Sequence, residues 1–213
     1  MQSITQILNN MPPVSRGRLT KAGPGSTPVS ASAPARFSDF LTFGDADLEW
    51  MLSEARNFAA DLESGFNPRW LSFVGSSGAG KTFLADKLYR FACTVGHLKR
   101  HDRLTSPWAV LSYAWPDVVD KLFNDKWLVD YLSIANFVFL DDVGAGYDKS
   151  GWQAERLYRI VNARVGRWTV LTSNLSPGQI AERMDPRISS RMNRGGSKVL
   201  QVDVPDFNLR SQL

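Results

Sequence analysis

The feature that most constrains the fold of this chain is a glycine-rich octapeptide, residues 75–82, with the sequence GSSGAGKT. The residues before it, 70–74, are apolar apart from one serine and predict a buried strand. The residues after it repeat apolar side chains at helical spacing and predict an amphipathic helix. A strand, this loop and a helix in that order form a complete phosphate-binding loop. The sequence therefore predicts a nucleotide-binding protein.

The residue types in the loop each have a chemical reason. Glycines allow successive backbone N–H groups to curl around a phosphate, and the following helix directs its partially positive N-terminus at the same anion. Lys81 is expected to reach the β- and γ-phosphates of ATP, and the Thr82 hydroxyl to hold Mg²⁺. ATP and Mg²⁺ are therefore the expected cofactors. The predicted binding residues are Gly75, Ser76, Ser77, Gly78, Ala79, Gly80, Lys81 and Thr82.

Length and composition fit one ATPase domain with a tail. The chain has 213 residues, of which 43% are apolar, and this is enough for a core of ordinary size. A single cysteine excludes a disulfide framework within the chain and favours a cytoplasmic protein. No apolar run approaches the roughly 18 residues that span a bilayer, and the N-terminus lacks a signal pattern. Neither membrane insertion nor secretion is indicated.

Residues 1–35 are predicted to form a flexible basic tail ahead of the domain. The formal charge of +4 arises in the N-terminal segment, because four basic residues precede the first acidic one, Asp39: Arg16, Arg18, Lys21 and Arg36. The segment is rich in proline, serine, glycine and alanine, which predicts disorder. It is either a solvated linker or a tail that contacts nucleic acid or an acidic partner. Apolar positions 4, 7, 8 and 11 indicate either a short partner-binding helix or a frayed end.

From residue 37 onward, predicted helices and strands alternate. A helix over 48–62 precedes the phosphate loop, and two more helices are predicted over 116–123 and 152–165. Proline at positions 177 and 186 marks the start of two short helices near the end. This alternation predicts an α/β fold with a five-stranded parallel sheet flanked by helices. The predicted strands are 70–74, 108–114, 136–140, 168–172 and 198–202.

Polar residues at two predicted strand ends complete the nucleotide site. Asp141 and Asp142 follow four apolar residues, the second signature of a phosphate-loop ATPase. Asp141 is expected to hold Mg²⁺ through water, and Asp142 to orient and help deprotonate the attacking water. Most of the broad class carries the longer glutamate there, so slow hydrolysis is one hypothesis. Asn174 either contacts the γ-phosphate or the water from the same sheet edge, or simply forms a turn.

Residues 36–213 resemble the DnaC/IstB branch of the AAA+ ATPases, which comprises initiator-type helicase loaders and transposition helper ATPases. The resemblance implies an AAA+ fold without a C-terminal helical lid. Aspartate at position 142 is common in this branch, which weakens the hypothesis of slow hydrolysis. The resemblance rests on motifs in a fixed order, at residues 36–40, 75–82, 140–144, 157–164, 171–176, 187–192 and 206–210.

The resemblance also implies roles for three arginines. One would be an arginine finger that reaches the γ-phosphate bound by a neighbouring subunit, with Arg191 preferred because it follows Ser190, and Arg187 as the alternative. Without the family order, both would be read as part of a solvated helix face. Arg210 matches the arginine that relatives use as a second nucleotide sensor. An ATP site completed in this way implies self-association.

The function implied is that of an ATP-dependent loader, which binds a replicative hexameric helicase of the DnaB type and single-stranded DNA. Initiator-type relatives place a DNA-contacting helix in the segment between Trp115 and Trp127, so Lys121 and Lys126 are candidate DNA contacts. Two alternatives stay open: a transposition helper on duplex DNA, and a nucleotide-controlled adaptor whose hydrolysis is incidental. A viral-type replicative helicase also has a strand that ends in Ser-Asn, but the Ser190-Arg191 pair and the motif at 206–210 argue against it.

Overall fold

A computed structural model describes residues 37–98, 110–123, 125, 127–146 and 150–210, with side chains to residue 208. The predicted tail, residues 1–35, and the candidate DNA contact Lys126 lie outside the described residues, as does the side chain of Arg210. Among the described residues, no helix is long and apolar enough to cross a membrane.

Five strands form one sheet in which every neighbouring pair is parallel, so the predicted sheet is confirmed. The spatial order is β2-β3-β4-β1-β5. Because β1 lies between β4 and β5, the phosphate loop leaves the sheet next to the ends of both strands. The strands are β1 Trp70–Gly75, β2 Val110–Ala114, β3 Phe137–Asp141, β4 Trp168–Ser173 and β5 Lys198–Val202.

The predicted helices are present, with ends shifted by a residue or two. Two short helices, α4 and α8, were not predicted from residue patterns; the start of α4 has neither a side-chain cap nor a proline that would mark it in the sequence. The helices are α1 Ala46–Ser64, α2 Lys81–Ala92, α3 Trp115–Leu122, α4 Leu128–Ile134, α5 Trp152–Ala163, α6 Pro177–Arg183, α7 Pro186–Met192 and α8 Phe207–Arg210.

Local capping explains where two of these helices begin. The Asp45 carboxylate accepts hydrogen bonds from the backbone N–H groups of Asp47 and Leu48, both at 3.0 Å, and starts α1. At α6, the Ser176 hydroxyl accepts from the Gln179 N–H while the Gln179 side chain accepts from the Ser176 N–H. This reciprocal capping box fixes the chain direction as it leaves the nucleotide edge of the sheet.

Apolar side chains cover both faces of the sheet. Helices α1 and α2 pack on one face, and residues of α3 to α7 pack on the other. Trp115, at the start of α3, is fully buried in the second layer, so it belongs to the core. Three layers of this kind leave the carboxyl ends of β1, β3 and β4 together at one edge, where open α/β sheets bind ligands.

Candidate functional site

Lys81 lies at the centre of the carboxyl edge of the sheet. Its ammonium group donates hydrogen bonds to the carbonyl oxygens of Gly75 and Ser76, at 2.9 and 2.6 Å, and to Asn174 Oδ1 at 2.9 Å. Burial lowers the pKa of this group, while the nearby carboxylates of Asp142, Asp203 and Asp141 oppose the shift. Lys81 is therefore a nearly buried cation held by neutral partners that a phosphate could replace.

Asn174 connects this lysine to the second predicted catalytic residue. Its amide group donates to Asp142 Oδ1 at 2.9 Å while its oxygen accepts from Lys81, so the three side chains form one hydrogen-bonded chain. Asn174 is exposed at the end of β4. The two neighbouring strands therefore bring Asp142 and Asn174 together beside the phosphate loop.

A second set of contacts joins the two residues predicted to hold Mg²⁺. The Thr82 hydroxyl donates to Asp141 Oδ1 at 2.9 Å. A hydroxyl and a carboxylate at the loop are the oxygen donors that Mg²⁺ takes when it binds together with substrate phosphates. The donor set thus fits the predicted ion, with Thr82 and Asp141 as the residues that would hold it.

Thr172, which the sequence reasoning missed, contacts both aspartates from the adjacent strand. Its hydroxyl donates to Asp141 Oδ1 at 2.5 Å and accepts from the backbone N–H of Asp142 at 2.8 Å. Asp142 has φ +54°, a left-handed conformation that is uncommon outside glycine and costs free energy. Thr172, on the neighbouring strand, therefore holds the Asp142 backbone in the conformation that sets the direction of its side chain. Thr172 reads as an ordinary β residue in the sequence, and only the pairing of β3 with β4 reveals its role.

A cavity of about 550 Å³ extends from these groups along the start of α2. It is lined by the loop residues 77–82 with Asp141, Asp142, Thr172 and Asn174, and also by the apolar side chains of Phe40, Leu41, Phe83 and Phe207. Gly80, with φ +89°, faces Phe40 so closely that an ideal Cβ would lie 2.8 Å from the ring. The loop can approach Phe40 only because residue 80 is glycine.

The two candidate finger arginines lie on α7, away from this cavity. Arg187 is paired with Asp185 at 2.7 Å and stacks over the Tyr158 ring at 4.1 Å. Arg191 donates to Asn162 Oδ1 at 2.8 Å and lies 5.9 Å from the same ring. The described residues that line the nucleotide cavity include no arginine. Within one chain, the structure therefore does not bring Arg187 or Arg191 to Asp142.

The candidate DNA contact Lys121 is exposed on α3 and lies over the Tyr113 ring at 4.7 Å. This contact holds the ammonium group beside β2, which is the edge strand of the sheet next to β3. Lys121 thus does not belong to the nucleotide cavity.

The predicted phosphate-loop fold has clear structural relatives, although no family model and no curated protein matches the sequence. The DnaC helicase loader superposes with a TM-score of 0.59 at 20% identity, covering 74% of this chain and 91% of that one. DnaI gives 0.59 at 21% identity, with coverage of 76% and 87%. AMPPCP-bound DnaA from Aquifex aeolicus gives 0.55 at 18% identity, with coverage of 75% and 48%.

At these identities the likeness is one of fold. The chain has the α/β fold of AAA+ phosphate-loop domains, as the motif order predicted. The AMPPCP-bound relative is a nucleotide complex of that fold.

Proposed function

We propose that this protein is a cytoplasmic, Mg²⁺-dependent ATPase that loads a replicative hexameric helicase of the DnaB type onto single-stranded DNA. The observation that carries the proposal is the hydrogen-bonded chain from Lys81 through Asn174 to Asp142, beside the Thr82–Asp141 contact. It supports a site that both binds a triphosphate and responds to it. The fold likeness to a helicase loader supports the choice of partner.

Binding of ATP would exchange the partners of Lys81. The ammonium group would leave the carbonyls of Gly75 and Ser76 and pair with the β- and γ-phosphates, because a hydrogen bond between two charged groups is stronger than one from the ammonium to a neutral carbonyl. Asn174 then loses a donor, and its amide group, which has two N–H bonds, can donate to the γ-phosphate or the water while it keeps its contact with Asp142. The position of Asn174 would thus differ between ATP and ADP.

Asp142 would act on the attacking water. Asn174 holds one of its oxygens, and the backbone contact to Thr172 fixes its direction, so the second oxygen is left to accept a proton from water. Bound Mg²⁺, held by Thr82 and Asp141, would neutralise charge on the phosphates.

A neighbouring subunit would complete hydrolysis. Arg187 is exposed and Arg191 is partly buried on α7, and their present partners are side chains rather than buried carbonyls. Either can be redirected to a phosphate on another chain, as an arginine finger is. We therefore propose self-association through the ATP site, with Arg191 as the finger, Arg187 as the alternative and Arg210 as the second sensor. Lys121 and Lys126 are the proposed DNA contacts.

The partner is tested by purifying the tagged full chain from its native cell with ATP and Mg²⁺ and identifying retained proteins by mass spectrometry. A hexameric helicase that is retained by the wild type and lost from Lys81→Ala supports the loader. A transposase in its place would make the protein a transposition helper. Turnover that is unaffected by single-stranded DNA and unnecessary for helicase retention would point to an adaptor.

The intersubunit site is tested by mixing two inactive variants. Arg191→Ala protein binds ATP but lacks the finger, while Lys81→Ala protein supplies the finger but cannot bind ATP. Mixed assemblies should therefore recover part of the wild-type turnover, which each variant alone lacks. Absence of recovery, with both variants folded and associating, would place Arg191 in its own chain's site or outside catalysis.

A further inference from the structure

The chain that follows β5 crosses the phosphate loop. This segment, residues 203–208, is called the strap below. The Ser76 backbone N–H donates to Asp203 Oδ1 at 3.1 Å, and the Ser76 hydroxyl donates to the Val204 carbonyl at 2.8 Å. Further along, the Phe207 N–H donates to the Gly78 carbonyl at 3.0 Å. The strap is thus attached to the loop at both of its ends.

The closeness of this contact depends on the sequence of the loop itself. Gly78 has φ +75°, and an ideal Cβ on it would lie 2.8 Å from the Asp206 Cα and nearer still to the Asp206 carboxylate. A backbone atom cannot move aside as the end of a flexible side chain can, so a larger residue at position 78 would displace the strap. The phosphate loop and the strap therefore fit each other as a unit.

Attachment of the strap holds Phe207 beside the nucleotide cavity. Phe207 lines the cavity together with Phe40, Leu41 and Phe83. Phe40 is buried, whereas Phe83, Phe207 and Leu41 are 46%, 43% and 53% exposed. Phe207 also contacts the Phe43 ring, with 5.8 Å between the ring centroids.

Exposed rings that line a cavity beside a phosphate site indicate a flat apolar ligand group. Adjacent large apolar side chains are seldom left in water without a binding role. The same cavity is lined by Lys81, Asp141, Asp142 and Asn174, so a nucleotide whose phosphates bind there would have the phenylalanine rings in the same cavity to receive its base. Stacking of a base on an aromatic ring stabilises a complex by about 1–3 kcal/mol.

We propose that Phe207 stacks on the nucleotide base and that the strap clamps the base to the phosphate loop. This inference rests on the proposed nucleotide-binding function and adds to it a binding residue from the segment after β5. Through the strap, the loop that holds the phosphates and the ring that holds the base move together. Base and phosphate recognition are therefore coupled within one chain.

The test compares ligands with and without a base. Affinities for ATP and ADP are measured by calorimetry with Mg²⁺, and the affinity for tripolyphosphate is measured by competition against ADP. The variants are Phe207→Ala, the conservative Phe207→Trp, and Phe66→Ala as the matched control. Phe66 is 72% exposed and lies outside the cavity lining, in the segment that follows α1.

Phe207→Ala should weaken ATP and ADP binding about tenfold, the size expected for loss of one stacking contact. Tripolyphosphate binding should change less than about twofold, because it has no base. Phe207→Trp should keep the affinity for ATP, and Phe66→Ala should match the wild type.

Unchanged ATP affinity in Phe207→Ala would overturn the inference while leaving the proposed function intact. An equal loss for ATP and tripolyphosphate would also overturn it, since the strap would then only support the loop. A wild-type protein that binds no ATP would remove the proposed function, and the inference with it.

Discussion

Two buried cations, Lys81 and Arg164, lie at opposite edges of the same sheet. Lys81 begins α2 at the carboxyl edge and is 6% exposed, whereas Arg164 ends α5 at the amino edge and is fully buried. Both donate hydrogen bonds to backbone carbonyls. By burial and bonding alone, either could be taken for a functional residue.

The two cations differ in their surroundings. The Arg164 guanidinium is enclosed, and its donors reach four fixed acceptors at 2.5–3.0 Å: the carbonyls of Leu132, Ala135 and Trp168, and the hydroxyl of Thr169. Burial lowers the pKa of Arg164 to about 9, which leaves the group charged at neutral pH. Its own carbonyl accepts from the indole of Trp70 at 2.9 Å. Arg164 thus joins the starts of three strands.

Lys81 faces a cavity, has carboxylates nearby and bonds to groups that a ligand can replace. A buried charge therefore indicates a binding site only when its partners are exchangeable and space for a ligand adjoins it. A buried charge whose partners are complete stabilises the fold instead. A mutation of Lys81 should therefore reduce ATP binding more than stability, and a mutation of Arg164 should reduce stability more than ATP binding.

The largest effect is expected for Lys81→Ala. Loss of the ammonium group removes the cation that would pair with the β- and γ-phosphates, so ATP binding should fall by at least about a thousandfold. Stability should change little, because the carbonyls that Lys81 leaves lie beside a cavity open to water. Calorimetry with ATP and thermal unfolding measure both. Lys198→Ala, at an exposed lysine paired with Glu54, is the control and should bind normally. Full ATP affinity in Lys81→Ala would show that Lys81 is not the cation that binds the phosphates.

Asp142→Asn should reduce hydrolysis by a similar or somewhat smaller factor, about a hundredfold to a thousandfold, because the amide cannot accept the proton from water. ATP affinity should stay within about threefold of the wild type, since an asparagine oxygen can still accept from Asn174. Steady-state turnover and calorimetry separate the two quantities. The control is Asp117→Asn, at an exposed carboxylate of α3 outside the cavity. Unchanged turnover in Asp142→Asn would exclude it as the water-activating residue.

Arg164→Lys should destabilise the fold by about 3 kcal/mol, because lysine keeps the charge but cannot reach four acceptors from one planar fork. Urea denaturation measures the loss. Arg167→Lys, at a more exposed arginine nearby that donates to Ile134 at 3.3 Å, should cost much less. The folded Arg164→Lys protein should bind ATP as the wild type does. Weakened ATP binding without a loss of stability in Arg164→Lys would contradict the assignment of stability to the amino edge and of binding to the carboxyl edge.

Most of the fold could be predicted because its signals are local. The phosphate loop, the two acidic residues after β3 and the proline-marked starts of α6 and α7 each fit within a few neighbouring residues. Helix α4 has no such signal: the residue before it, Trp127, makes no side-chain cap, and Leu128, Tyr131 and Leu132 pack only once the sheet exists. A helix stabilised mainly by packing escapes sequence reasoning.

The sequence predicts the main residues of the candidate site, but not the hydrogen bonds between them. Asn174 was expected at the strand edge, but the sequence offered a turn as the alternative, and the contacts with Lys81 and Asp142 come only from the order of the strands. Arg164 lay within a motif without any expected role. Thr172 was read only as part of a strand.

By itself, the sequence determined that a phosphate loop lies between a strand and a helix in an α/β chain, because glycine conformations and apolar periodicities act over a few residues. Only the tertiary contacts bring the Thr172 hydroxyl to the Asp141 carboxylate and the Asp142 N–H, enclose Arg164, and carry the segment after β5 to Gly78. Those contacts join residues up to 129 positions apart in the chain. They exist because parallel strands bring their ends to one edge, whatever their separation in sequence.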